Sequence, residues 1–333
     1  SNADVGTVVR LGMTTDTVPS DGTVNFNGLL DEVQFYDQAL SSAQVATLYQ
    51  GQVPGGSLPS TAGVTIASGA TFDVNGVSQT IASLSGAGSL LKSGSGTLTL
   101  TGANPFTGAT TVNGGTLLVN GTTAASTTTV VSGATLGGTG TAGTVTVQGG
   151  GTLAPGTSIG TFSAANTTIN GTLVIEIASA ASADRLNASG SVTLGGSLTV
   201  TAPAGLPAGS AFTIVNKTSA GAVSGTFTGK APNSQFTAGG SNFIISYTGG
   251  DGNDVTLTVA TAQQAWKWTH FGSNWNNAAI AGDTVDGDKD GLPNLLEYAL
   301  GSDPNVSAAT VAPRAGVVGG RLTLNFTRNT AAT

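Results

Sequence analysis

Between residues 60 and 258 apolar and polar positions alternate in short runs, a period that fits strands and not helices. Gly96-Thr97-Leu98, Gly115-Thr116-Leu117, Gly133-Ala134-Thr135-Leu136, Gly151-Thr152-Leu153 and Gly171-Thr172-Leu173 recur at steps of 19, 18, 18 and 20 residues, with a looser copy at Gly196-Ser197-Leu198. Between them runs a second pattern, Thr110-Thr111-Val112, Thr128-Thr129-Val130, Thr144-Val145-Thr146-Val147, Thr167-Thr168-Ile169 and Ser191-Val192-Thr193-Leu194. A single unit of strand, turn, strand and turn has one apolar side with nothing to face. Stacked in parallel about 4.8 Å apart, such units bury that side as a continuous narrow core.

The pattern therefore predicts an all-β chain whose main domain, 60–258, is a right-handed single-stranded parallel β-helix, a solenoid. About nine to eleven coils would give a rod on the order of 45 Å long. The glycines are assigned to corners that need positive φ. An antiparallel sandwich with hairpins at Asn75-Gly76, Asn113-Gly114, Asn120-Gly121 and Asn170-Gly171 is the competing reading, but it predicts no constant sequence step.

The flanks read differently. Residues 4–52 contain an alternating strand, Phe26 to Tyr36, and a short helix, Ser41 to Tyr49, and a small helical segment occupies 263–304. In 313–333 the stretch Arg321 to Phe326 alternates like the first strand of a further β domain or tail. Ser1, Asn2 and Ala3 are set aside as a purification-tag remnant.

Composition narrows the function. Ten Lys and Arg against 17 Asp and Glu, a net charge of −7, leave no basic stripe for nucleic acid and speak equally against acidic partners. The absence of cysteine removes disulfides and thiolate chemistry. No apolar run is long enough to cross a bilayer as a helix, so no membrane insertion is expected.

Catalysis is not expected either. Between 60 and 248 the ionisable acids and bases are Asp73, Lys92, Glu176, Asp184, Arg185, Lys217 and Lys230, too few and too scattered for a pair of working carboxylates. Glu176, Asp184 and Arg185 form the one local cluster, read as surface ion pairs at a coil corner. The single histidine, His270, lies outside the repeat region, and with Trp266 and Trp268 it is assigned to packing on the last coil. Gly249-Gly250-Asp251-Gly252-Asn253-Asp254 copies much of a calcium-binding nonapeptide, but one copy is expected to be a hairpin turn.

The chemical signal is stronger at Asp286-Gly-Asp288-Lys-Asp290-Gly291-Leu292-Pro-Asn294-Leu-Leu-Glu297, which fits the EF-hand loop at every required position. Ca²⁺ takes six to eight hard oxygens: Asp286, Asp288 and Asp290 supply carboxylates, Leu292 its carbonyl, Asn294 holds the ninth position and Glu297 closes the site. Gly291 permits the sharp turn, and a helix from Pro293 to Leu300 should stop at Gly301.

Three resemblances follow from these residues. Gly86 to Gly121, with Asn104-Pro105-Phe106 inside it, resembles the autotransporter-associated β-strand repeat of passenger domains, and Leu153-Ala-Pro-Gly-Thr-Ser-Ile-Gly-Thr161, Asp184-Arg-Leu-Asn187 and Gly249 to Thr258 are similar to the coils after it. That implies a bacterial protein at the extracellular or outer-membrane surface. Gly28-Leu-Leu-Asp31-Glu32-Val33 and the helix after it resemble the end of a laminin-G or concanavalin-like jelly roll, covering 4–52. Asp286 to Tyr298 is similar to calcium units of bacterial surface proteins related to EF-hands and thrombospondin type 3 repeats. This implies the same six ligands, with an affinity of roughly 10⁻⁵ to 10⁻³ M. The resulting expectation is a non-catalytic stalk with a Ca²⁺-stiffened joint to adjoining domains of a larger chain. An adhesin or carbohydrate-binding module, meeting surface glycans or other extracellular proteins, is the alternative.

Overall fold

The computed structural model describes residues 58, 60–307 and 312–330. The chain divides into two compact units, Ser1–Gly56 and Ser57–Thr333. The laminin-G-like segment 4–52 lies outside the described residues, and the second unit is the one described below.

Its main body is a parallel β-solenoid with three faces per coil. The first face is an eight-stranded parallel sheet from Thr71–Asp73 to Ser224–Gly225, and it carries the Thr-Thr-Val motif. In register Val112, Val130, Val147, Ile169 and Leu194 stack one above another. The second face, starting at Gln79–Ile81, carries the Gly-Thr-Leu motif, and there Leu98, Leu117, Leu136, Leu153, Leu173 and Leu198 align. The stacked Val, Ile and Leu through residue 194 are at most 3% exposed, whereas the Thr just before each in the first face, Thr111, Thr129, Thr146, Thr168 and Thr193, points out, and Thr110, Thr128 and Thr167 one position earlier are buried. β-Branched residues suit both positions because they fit a pleated surface packed on one side. The ladders are the core.

A third face was not expected from the repeat, which shows two strands per coil. It includes Ser83–Gly86, Thr122–Thr123, Thr141–Ala142, Thr161–Ala164, Arg185–Ala188 and Ala211–Lys217, strands as short as two residues and without a common motif. The solenoid is also shorter than expected. Among the described residues no sheet exceeds eight strands, which gives roughly 34 Å of stacked backbone at about 4.8 Å per step.

The glycine assignment needs division. Gly76, Gly115 and Gly138 do have φ of 83°, 60° and 109°. Gly121, Gly140 and Gly196 do not, and are required for another reason: a Cβ there would lie 1.9, 2.0 and 1.8 Å from the carbonyl oxygens of Gly102, Gly121 and Gly171 in the preceding coil. The backbones of successive coils touch at these corners.

Parallel stacking ends at Ser224–Gly225 on the first face and at Ala211–Lys217 on the third, before the expected limit of 258. Ala211–Lys217 pairs in parallel with Arg185–Ala188 on one edge and antiparallel with Asp254–Val259 on the other. Ser241–Gly249 and Gln235–Ala238 extend the antiparallel part. Aromatic rings gather here, with Phe243 between Phe212 (6.3 Å) and Phe236 (5.9 Å) and Phe227 beside Tyr247 (6.4 Å). The change covers an otherwise open stack of strands with hairpins and bulky side chains. The Gly249 to Asp254 segment joins two antiparallel strands, as a hairpin turn.

Polar side chains close the remaining backbone gaps. Asn104 is 1% exposed, and its amide stands in for a strand of the third face: Oδ1 accepts from the Leu84 N–H at 2.8 Å and Nδ2 donates to the Gly102 carbonyl at 2.7 Å. Buried Lys92 donates to the carbonyls of Ser93, Gly94 and Gly114, and Lys217 to those of Ser219, Ala220 and Gly221. Asp184 corrects the expectation of surface ion pairs. It is 4% exposed and accepts the N–H groups of Gly160 and Glu176, each at 2.8 Å, while no ion pair joins it or Glu176 to Arg185.

Beyond the solenoid, Thr261 caps the helix Ala262–Phe271 with a capping box closed by Gln264, and a second helix spans Asn294–Leu300. Trp266 packs on Tyr298 of that second helix, centroids 5.5 Å apart. The C-terminal pair Arg314–Val318 and Arg321–Asn325 forms a two-stranded antiparallel hairpin.

Candidate metal site

The loop before the second helix is shaped by its own aspartates. Asp286 accepts the Lys289 N–H through Oδ1 (2.8 Å) and the Gly291 N–H through Oδ2 (3.0 Å). Asp288 Oδ1 accepts from the Asp290 N–H (3.2 Å), and Asp290 Oδ1 from the Leu292 N–H (2.9 Å). Short acidic side chains favour such local bonds over helix or strand. Lys289 and Gly291 take positive φ, 64° and 91°, which bends the chain sharply. As a result Asp286, Asp288 and Asp290 each bring a carboxylate oxygen within 4.8 Å of the others.

Pro293 precedes the helix in an extended conformation, and Gly301 ends it at φ 77° in the left-handed region. The helix starts at Asn294, one residue later than the sequence suggested. Asn294 is fully buried: its N–H donates to the Val285 carbonyl, and its side-chain amide donates to the Ile280 and Gly282 carbonyls at 3.0 and 2.9 Å. It holds the incoming loop. Leu292 is 5% exposed and anchors the loop in the packed interior.

Glu297 lies outside the 4.8 Å cluster but is electrostatically part of it. It is 0% exposed, and burial, followed by the negative charges of Asp288, Asp290 and Asp286, pushes its pKa up to about 7. Ser302, not singled out from the sequence, offers a hydroxyl to Oε1 at 3.3 Å and opposes that shift. Its place just past the Gly301 stop is the only sequence signal. Lys267 pairs with Asp283 at 2.6 Å and ties the first helix to the same loop.

Three buried acceptors here have no hydrogen-bond partner: Asp288 Oδ2, Asn294 Oδ1 and Glu297 Oε2. A buried acceptor without a donor is costly, by about 1–3 kcal/mol, and more for a charged group. A hard divalent cation among oxygen ligands is the species that such a donor set suits. Asp286, Asp288, Asp290 and Glu297 are the residues whose carboxylates could hold it.

The solenoid has its own match. Residues 90–119 match the family model of the Passenger-associated-transport-repeat. The matched stretch contains the strands Thr97–Leu100, Thr110–Val112 and Thr116–Val119, together with Asn104 and Phe106. Phe106 is 0% exposed and its N–H donates to the Leu84 carbonyl, so Asn104 and Phe106 of this chain close the coil where the third strand is missing. The match and the parallel solenoid together fit an autotransporter passenger repeat. No curated protein shows significant similarity to the chain. No helix among the described residues is long and apolar enough to cross a membrane.

Proposed function

We propose that this chain is a non-catalytic stalk segment of a secreted or surface-displayed bacterial passenger, with a C-terminal joint stiffened by Ca²⁺. The unbroken Val and Leu ladders carry the stalk reading, since a stack that buries its apolar side coil by coil makes length its main product. The passenger repeat at 90–119 supports surface display or secretion.

The joint is the segment between the two helices. Asp286, Asp288, Asp290 and Glu297 would hold the ion, with Leu292 offering its carbonyl and Asn294 the ninth position of the loop. Bound Ca²⁺ supplies charge neutralisation for four crowded carboxylates. The protein's own contribution is to hold the loop through Asn294 and to pack Trp266 on Tyr298, which joins the two helices.

Calorimetric Ca²⁺ titration of chelator-stripped protein, alongside thermal unfolding, tests this reading. One site is expected, absent in Asp288→Ala, that raises a transition reported by tryptophan fluorescence and leaves the solenoid transition in place. No heat up to several millimolar Ca²⁺ would refute the joint.

A further inference from the structure

Two clefts lie side by side on the third face of the solenoid, of about 340 and 280 Å³. The strands Thr161–Ala164 and Arg185–Ala188 contribute to both. Alternation turns Phe162 and Leu186 into the core, both 0% exposed, and leaves Thr161, Ser163, Arg185 and Asn187 outside. Register lines them up from coil to coil: Thr161 beside Arg185, and Thr141, Ser163, Asn187 and Asn216 in one row. The Asn216 amide donates to Asn187 Oδ1 at 3.0 Å, so the row is already ordered.

Arg185 is the one charged residue lining either cleft. Lys92, Asp184 and Lys217 are buried, whereas Arg185 is exposed and its guanidinium has no ion pair or hydrogen bond among the described residues. A guanidinium presents a planar fork of donors matched to carboxylate or sulfate oxygens. Around it the lining is hydroxyl and amide, with Ser182 and Thr213 at one side.

We propose that this face binds an acidic oligosaccharide, with Arg185 pairing to a carboxylate or sulfate group and the Thr141, Ser163 and Asn187 row hydrogen-bonding to ring hydroxyls. The coil spacing of about 4.8 Å is close to the rise per ring of an extended sugar chain, so successive rings meet successive coils. A peptide strand is disfavoured, because Arg185–Ala188 already has a strand on each edge and offers no free backbone ladder. A neutral sugar is disfavoured as well. Phe212, the aromatic residue in the clefts, is 5% exposed and gives no face for a ring to stack on.

The test uses the whole chain and three probes: trigalacturonate, which is carboxylated, a heparin-derived tetrasaccharide, which is sulfated, and maltotriose, which is neutral. Binding is read by calorimetry, with melting of each variant followed in parallel. At least one acidic probe is expected to bind at least tenfold more tightly than maltotriose, and to lose at least tenfold in Arg185→Gln while the melting temperature stays put. Asn187→Val should weaken the same probe. Preference for one acidic probe identifies the paired group. Equal binding of maltotriose, unchanged binding in Arg185→Gln, or no binding of any probe at several millimolar overturns the proposal.

Discussion

Glu297 gives the metal-free protein a definite pH response. In the unfolded chain its carboxyl ionises near its ordinary value of 4.5, while in the folded joint burial and the three aspartates hold the proton until about 7. The unfolded form therefore loses its proton first. In chelator the joint should be most stable below about 4.5, weaken as pH rises toward 7, and level off above that. Tryptophan-monitored melting in chelator at pH 5, 6 and 8 checks this, and Glu297→Gln should flatten the dependence. A divalent cation should reverse the order, since it favours the ionised form. At this scale the sequence showed the loop aspartates plainly, because their spacing encodes the turn. It did not show Asp184 as an acceptor for two coil amides, because one donor, Gly160, lies just ahead of the strand Thr161–Ala164 and the other, Glu176, within the strand Thr172–Ser179, and no local pattern marks them.

Strands on the first two faces were legible because each inward position repeats a Val or Leu against its copy in the next coil. The third face was not, since Asn104, Ala142, Phe162 and Leu186 solve the same packing problem with different volumes. The faces meet at glycine corners, and these set the tolerance of the whole element. Gly121 lies between Gly102 and Gly140, and a Cβ on it would sit 1.9 Å from the Gly102 oxygen. Backbone on both sides leaves nothing flexible to give way. Gly121→Ala is expected to destabilise the solenoid by about 1–3 kcal/mol or more through overpacking. Gly133→Ala is a useful contrast: no atom lies within 4 Å of its added Cβ, and its φ of 81° makes strain the sole effect. Denaturant titration of both variants against wild type separates coil contact from turn conformation.

For the molecule as a unit, its two regions hold together by different means: aliphatic stacking in the solenoid, and polar bonds with ring packing in the segment after it. The C-terminal hairpin follows neither rule. Leu322, Leu324 and Phe326 are 82%, 59% and 57% exposed, and two strands alone are marginal in water. In the solenoid, strands run across the long axis, so the hydrogen bonds between coils run along it. Tension on the stalk therefore loads those bonds lengthwise, like teeth of a zipper and not like bolts in shear. Each coil contacts only its neighbours and can leave without dismantling the rest. Optical-trap pulling should show a series of small, similar rips, each releasing roughly 60 Å of chain from one coil of about nineteen residues. A tether of this kind yields by measured increments under load, spreading a sudden pull over many weak events and recovering its length as the coils close again.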